Sequence, residues 1–209
     1  ILSKILISKD TQKVLYIMTT VLYSWDFRNL QSNQIVDEVG GKTAVVVNGD
    51  GNNSYELINE GVQLNNTDTN NSGSYIDLSG LNNVSLTGPL TFELVLKDLS
   101  GIEESGKYFF MTRTETNVNN YRDFFTIRTG NEGVVSFRID TSGNSARIKN
   151  FNVSASGSEF KHYVASLSNN EIKGYINYTN QSGLSVSGEL QAVREINYLG
   201  ACKGLTHGS

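Results

Sequence analysis

Cysteine, proline and histidine are nearly absent, and each scarcity removes a class of chemistry. Cys202 is the single cysteine, so no internal disulfide framework can hold this chain. Two histidines, His162 and His207, are too few for a histidine-built metal centre. With Pro89 as the one proline and 20 glycines, turns must be made by Gly, Asn, Asp and Ser. Lys and Arg number 17 against 21 acidic residues, for a net charge of −4, and no basic stripe is present. A nucleic-acid footprint is therefore not read. No apolar run reaches the roughly 18 residues that a helical membrane span needs. No signal-peptide core with a small-residue cleavage site is seen either.

The most legible stretch is Phe160–Gln181, FKHYVASLSNNEIKGYINYTNQ. Two alternating runs flank Asn169-Asn170, and Asn tolerates the positive φ of a tight two-residue turn. With that turn, Ser168 faces Glu171 and the register is set back along both strands. Leu167 then meets Ile172, Ala165 meets Gly174 and Tyr163 meets Ile176 on one apolar face. Ser166 with Lys173, Val164 with Tyr175, and His162 with Asn177 form the other face, because strand side chains alternate.

Taken in order, residues 1–17 mix apolar positions with Lys4, Lys9, Asp10 and Lys13. They are expected to be a leader outside the native chain, or alternatively a genuine first strand or short helix, ahead of a domain over 18–209 that opens at Met18. Val21–Phe27 (VLYSWDF) reads as the first strand, with Tyr23, Trp25 and Phe27 toward the core. Thr43–Val47, Tyr55–Ile58, Val62–Leu64 and Tyr75–Leu78 follow as strands around the turn cluster Asn48–Ser54. Leu90–Lys97 (LTFELVLK) places Phe92, Leu94 and Leu96 on one face and Thr91, Glu93, Val95 and Lys97 on the other. Lys107–Thr112, Asp123–Arg128, Val134–Asp140, Ala146–Phe151, Ser185–Gly188 and Glu195–Leu199 complete the set. Many short strands separated by Gly/Asn turns, with no helical period, predict an antiparallel sandwich.

An ordered series of segments carries a family likeness. It runs Tyr23-Ser24-Trp25-Asp26-Phe27, Asp37 before Gly40-Gly41, Ser74-Tyr75-Ile76-Asp77-Leu78 and Leu90–Lys97. His162-Tyr163-Val164-Ala165, Lys173-Gly174-Tyr175-Ile176-Asn177 and Tyr198-Leu199-Gly200 follow. Over about Val21–Gly200 the chain resembles the laminin-G-like branch of the concanavalin A-like lectin/glucanase superfamily. It is similar to the divergent, Asn-rich versions found in large DNA viruses and phages. The resemblance implies an all-β, two-sheet antiparallel jelly-roll sandwich with one concave sheet, used mostly for binding or adhesion. Family members continue after the Leu-Gly with a closing strand of the form G-x-I-x-x-F/V-R-I/V-Y. No such pattern follows Gly200. The implied sandwich lacks that strand, or its first strand has an edge that a partner or the leader covers.

Glycoside hydrolysis, the enzyme option of this superfamily, needs two carboxylates about 5–10 Å apart. Residues i, i+2 and i+4 of a strand share a face, so an E-x-D-x-x-E-like strand could supply them. None is present: Glu93 stands alone in its strand, and Glu103-Glu104 fall in a turn. Glu93 is read as an ion-paired or hydrogen-bonded sheet residue and His162 as a packed histidine. Tyr108, Tyr121, Tyr175 and Tyr178 are candidate platforms for apolar sugar faces, although packing is the commoner fate of a strand tyrosine. Oxygen-rich loops at Asn48–Asn53 and Asn65–Asn71 make calcium the one cofactor to consider, and ordinary polar turns have the same composition.

The expected function is a non-enzymatic recognition module for glycans or a protein surface, on a virion or a secreted protein. Its expected ligand contacts are Asn48, Asp50, Asn52, Asp68, Tyr121 and Tyr175, on shallow loops and sheet surface. The alternatives are a structural or assembly sandwich that uses an exposed sheet edge, and a glucanase-like hydrolase. Asn-x-Ser/Thr sequons at Asn52, Asn177 and Asn180, among others, agree with an extracellular setting.

Overall fold

The computed structural model describes residues 23–65, 73–82, 90–97, 108–113, 124–129, 134–139, 147–154, 159–168, 171–185 and 196–200. The expected leader, 1–17, lies outside them. Among the described residues there are fourteen strands and no α-helix. The strands are β1 (Gln34–Val36), β2 (Thr43–Val47), β3 (Ser54–Ile58), β4 (Gly61–Asn65), β5 (Tyr75–Asp77), β6 (Leu90–Lys97) and β7 (Tyr108–Arg113). Then come β8 (Phe124–Thr129), β9 (Val134–Ile139), β10 (Arg147–Ser154), β11 (Phe160–Ser168), β12 (Glu171–Ile176), β13 (Thr179–Ser185) and β14 (Ile196–Leu199). All pairings are antiparallel. One sheet has the order β1-β2-β5-β14-β7-β8-β9-β10, the second β13-β12-β11-β6, and β3-β4 form a separate ribbon. The all-β, antiparallel sandwich expected from the alternation is thus the fold.

The β11–β12 register is the one that the two-residue spacing demands. Ser168 faces Glu171, Leu167 faces Ile172, Ala165 faces Gly174 and Tyr163 faces Ile176. Residues 169 and 170 themselves lie outside the described set. On the other side β11 pairs with β6, so Leu94, Tyr163 and Ile176 form one transverse row across three strands. Phe92, Ala165 and Gly174 form the next, a large residue beside two small ones. These rows face Ala44, Val46 and Ile76 of the larger sheet in one buried cluster with Leu78, Leu81 and Leu199. Tyr55, Val62 and Leu64 of the ribbon pack against the same cluster.

Val21–Phe27 is not a strand over its described part. Residues 23–26 are irregular and Phe27–Asn29 is a single 3-10 turn. The backbone of Ser24 is bound by a loop instead of a ladder. Its N–H donates to the Asp37 carboxylate, and its carbonyl accepts from Glu38 N–H at 3.0 Å. The buried Asp37 also accepts from the N–H groups of Val39 and Gly40. Gly41, at φ 67, turns the chain in the left-handed region so that this clamp can close. The aromatic residues still point inward: Trp25 is 0% exposed and Phe27 is buried beside it. Trp25 is core, as the sequence suggests.

The second difference is at the hairpin's far side. β13 runs over Thr179–Ser185, where TNQSGLS shows no alternation, while 186–188 lie outside the described residues. As the edge strand of the smaller sheet, β13 needs no apolar face of its own, so its pattern carried no signal.

Burial of Tyr163 pushes its phenol up to about 12. An unfolded tyrosine ionises near 10. Between these values the unfolded chain has lost a proton that the folded chain still holds, so stability falls as pH rises from 10 to 12. Tyr163→Phe should therefore be less sensitive to alkali. We expect unfolding free energies from urea titrations at pH 8 and 11 to differ less in Tyr163→Phe than in wild type, by about 1–2 kcal/mol. Equal alkaline losses in the two proteins would refute the assignment.

Candidate functional site

Two surfaces carry the polar and aromatic residues of interest. The first is the loop from β2 to β3. Gly51 adopts φ 66, Asn53 N–H closes a turn onto Asp50 O at 3.2 Å, and Gly49 N–H donates to Ser74 Oγ at 2.9 Å. These bonds hold Asn48, Asp50 and Asn52 outward, where all three are exposed, while Asn53 is buried beneath them. At the foot of the loop is an open cleft of about 430 Å³, lined by Ser32, Asn33, Val46, Val47, Asn48 and Tyr55. Asn33 is committed to the wall of the cleft: its carbonyl accepts from Val46 N–H at 2.7 Å and its Nδ2 reaches Val46 O at 3.3 Å.

Three of the expected contacts, Asn48, Asp50 and Asn52, thus share one loop. Tyr175 does not join them. It lies half-buried on β12 in the other sheet, alternating with Gly174 and Ile176, which face the core. Asp68 and Tyr121 lie outside the described residues, and of Tyr108 only the strand position is described. Among the described residues no three His, Cys, Asp or Glu side chains converge, and loop 48–53 brings one carboxylate, Asp50. A calcium ion there would have to draw its other oxygens from Asn side chains, backbone carbonyls and water.

The second surface is the outer face of the smaller sheet. Thr91, Glu93 and Val95 project there from β6, and unlike an ordinary solvent face they are buried. Glu93 Oε1 lies 2.6 Å from His162 Nε2, with the two side chains 7% and 11% exposed. His162 stands opposite Val95 and diagonal to Glu93, a spacing from which long side chains can meet. Thr91 Oγ1 meets Ser166 Oγ at 3.4 Å beside them. Glu93 and His162 are therefore the paired, packed residues that the sequence suggests. His162 Nδ1 is buried with no hydrogen-bond partner among the described residues. Farther along, Lys173 pairs with Glu171 at 3.2 Å.

Sequence reasoning missed the turn that caps this face. Ile176 pairs with Thr179, leaving Asn177-Tyr178 as a two-residue loop with φ 47 and 66. Positive φ at both positions is the type I′ pattern. Asn suits the first position. Tyr at the second does not: a left-handed conformation costs a bulky residue about 1–2 kcal/mol. Its ring packs against His162, centroids 4.9 Å apart, yet the residue is 59% exposed. The Asn alone could have signalled the turn, but the tyrosine beside it reads as strand.

No protein-family model matches the chain, and no curated protein matches it. Solved structures do. Domain 4 of AbnA, an extracellular arabinanase from Geobacillus stearothermophilus in complex with arabinotriose, aligns with a TM-score of 0.59 at 15% identity, over 84% of this chain and 81% of that one. A botulinum neurotoxin type C structure, described for cell entry that depends on two ganglioside molecules, aligns at 0.57 with 13% identity, over 83% of this chain and 41% of that one. The binding domain of botulinum neurotoxin DC in complex with SialylT aligns at 0.56 with 13% identity, over 87% and 44%. The chain spans less than half of each toxin chain. At these identities the likeness shows a shared fold alone, an antiparallel jelly-roll sandwich.

Proposed function

We propose that this domain is a non-enzymatic recognition module for glycans or glycoprotein surfaces, displayed outside a cell or on a virion. The observation that carries the reading is the loop 48–53. It holds Asn48, Asp50 and Asn52 outward, and Asn48 lines a cleft that Tyr55 also lines. Outward amides and a carboxylate beside an aromatic wall are the groups that bond sugar hydroxyls and cover apolar sugar faces. The shared fold with an arabinotriose-bound domain supports the same class of ligand. Asp68, Tyr121 and Tyr175 remain proposed contacts. Catalysis is not part of this reading, because Glu93 is enclosed against His162.

So shallow a surface binds single sugars weakly, and clustered display raises avidity. A monomer is expected to bind a simple saccharide no tighter than about millimolar, near −4 kcal/mol. On a glycan array a clustered form should bind where the monomer does not, and Asn48→Ala with Asp50→Ala should remove that signal. A tight monovalent complex that survives both substitutions, measured by calorimetry, would overturn the site.

A second reading, assembly through a sheet edge, is favoured by one feature. Val36 on the edge strand β1 and Val39 after it are 58% and 55% exposed. Sedimentation of a self-associated species that Val36→Lys dissolves would support it.

A further inference from the structure

We infer that the tip of the β12–β13 hairpin is a separate saccharide-contacting site, with the Tyr178 ring as its platform. The ligand class rests on the glycan-binding reading above; the place and the residue do not.

The turn does not need this side chain. The hairpin is already fixed by its ladder, Ile176 against Thr179 and Tyr175 against Asn180. It is tied to β11 by two further bonds, Asn177 N–H to His162 O and His162 N–H to Asn177 Oδ1, both 2.9 Å. A Gly or Asn at 178 would take φ 66 without strain. Tyr178 takes it at a cost and is still exposed as a residue. Backbone strain of this kind is kept where it serves a site. The ring is also aimed and steadied, because one side rests on His162, which is itself held by Glu93.

The surroundings decide the ligand. Asn177, Thr179 and Asn180 around the ring are exposed, and the run from 174 to 185, GYINYTNQSGLS, holds no charged residue. An anionic headgroup would ask for Lys or Arg there, and a protein interface for more apolar neighbours. An exposed tyrosine among neutral amides and hydroxyls fits a neutral sugar, whose C–H face stacks while its hydroxyls bond around the rim.

Three full-length variants test this on an array of clustered neutral oligosaccharides: Tyr178→Asn, Tyr178→Phe and Asn48→Ala. Tyr178→Asn relieves the turn, so its Tm should stay level or rise by about 2–4 °C. Its array signal should nevertheless fall, by about three- to tenfold for each engaged copy. Tyr178→Phe should keep the signal, and wild-type binding should not change between 50 and about 500 mM salt. A fall in Tm with Tyr178→Asn would make the ring a packing residue and overturn the inference. So would an undiminished signal, or binding that salt abolishes. If Asn48→Ala removes binding and Tyr178→Asn does not, the cleft stands and this inference alone fails. If wild type binds no neutral oligosaccharide but does bind charged glycans or glycoproteins, this inference fails and the wider reading stands.

Discussion

Trp25→Ala is expected to destabilise the domain by about 3–5 kcal/mol, the usual cost of deleting a fully buried aromatic. Trp25 is the largest fully buried side chain among the described residues, at 0% exposed. Its indole N–H donates to Lys42 O at 3.0 Å, and Tyr23 stacks on it with ring centroids 5.9 Å apart. Removing the ring leaves a cavity in the cluster with Phe27, Ala44 and Val46 and also strands the Lys42 carbonyl. The arm that carries it, residues 23–26, has no ladder to hold it in place. Its attachment rests on the ring and on the Asp37 clamp. Trp25→Phe should keep much of the packing and lose the hydrogen bond, at a cost of about 1–3 kcal/mol for the unpaired acceptor. Urea unfolding followed by circular dichroism measures both, since Trp25 is the chain's one tryptophan and fluorescence disappears with it. A loss below about 1 kcal/mol for Trp25→Ala would mean that the ring is not the anchor.

How far the sequence discloses this fold depends on what each residue answers to. The β11–β12 register is legible because two residues of turn and an alternating face leave one solution. Leu90–Lys97 is legible as a strand, but the burial of Thr91, Glu93 and Val95 on its second face is not. Their cover comes from tertiary packing, which the alternation of a single strand does not encode. Val21–Phe27 has a strand's composition and lacks a strand's partner over 23–27, because the Asp37 carboxylate takes the Ser24 N–H. That side-chain bond spans thirteen positions and leaves no local pattern. The loop that gathers Asn48, Asp50 and Asn52 was legible from turn chemistry. Tyr178 was legible as a candidate platform, but its place in a turn was not, since a residue placed against its own preference is invisible to any rule built on preference.

Leu94→Ala is expected to cost about 2–5 kcal/mol, and its place on β6 argues for the upper half of that range. Leu94 is 0% exposed and sits midway along the strand, opposite Tyr163 and in line with Ile176. The spread within the range reflects how far the surroundings can close on the space left behind. Here they cannot close easily. β6 and β11 pair through eight consecutive positions with no bulge, so the backbone is held by an unbroken ladder. Tyr163 is itself 0% exposed and bounded by Ile176 on its far side, so its ring has little room to swing across. Leu96, two residues on, is only partly buried and should lose about half as much on truncation, because less apolar area leaves water there. Denaturant midpoints for Leu94→Ala and Leu96→Ala, at unchanged m-value, make the comparison. Equal losses would show that depth within the sandwich does not decide the cost. A loss well below about 1 kcal/mol for Leu94→Ala would mean that this side of β6 faces solvent and not the opposite sheet.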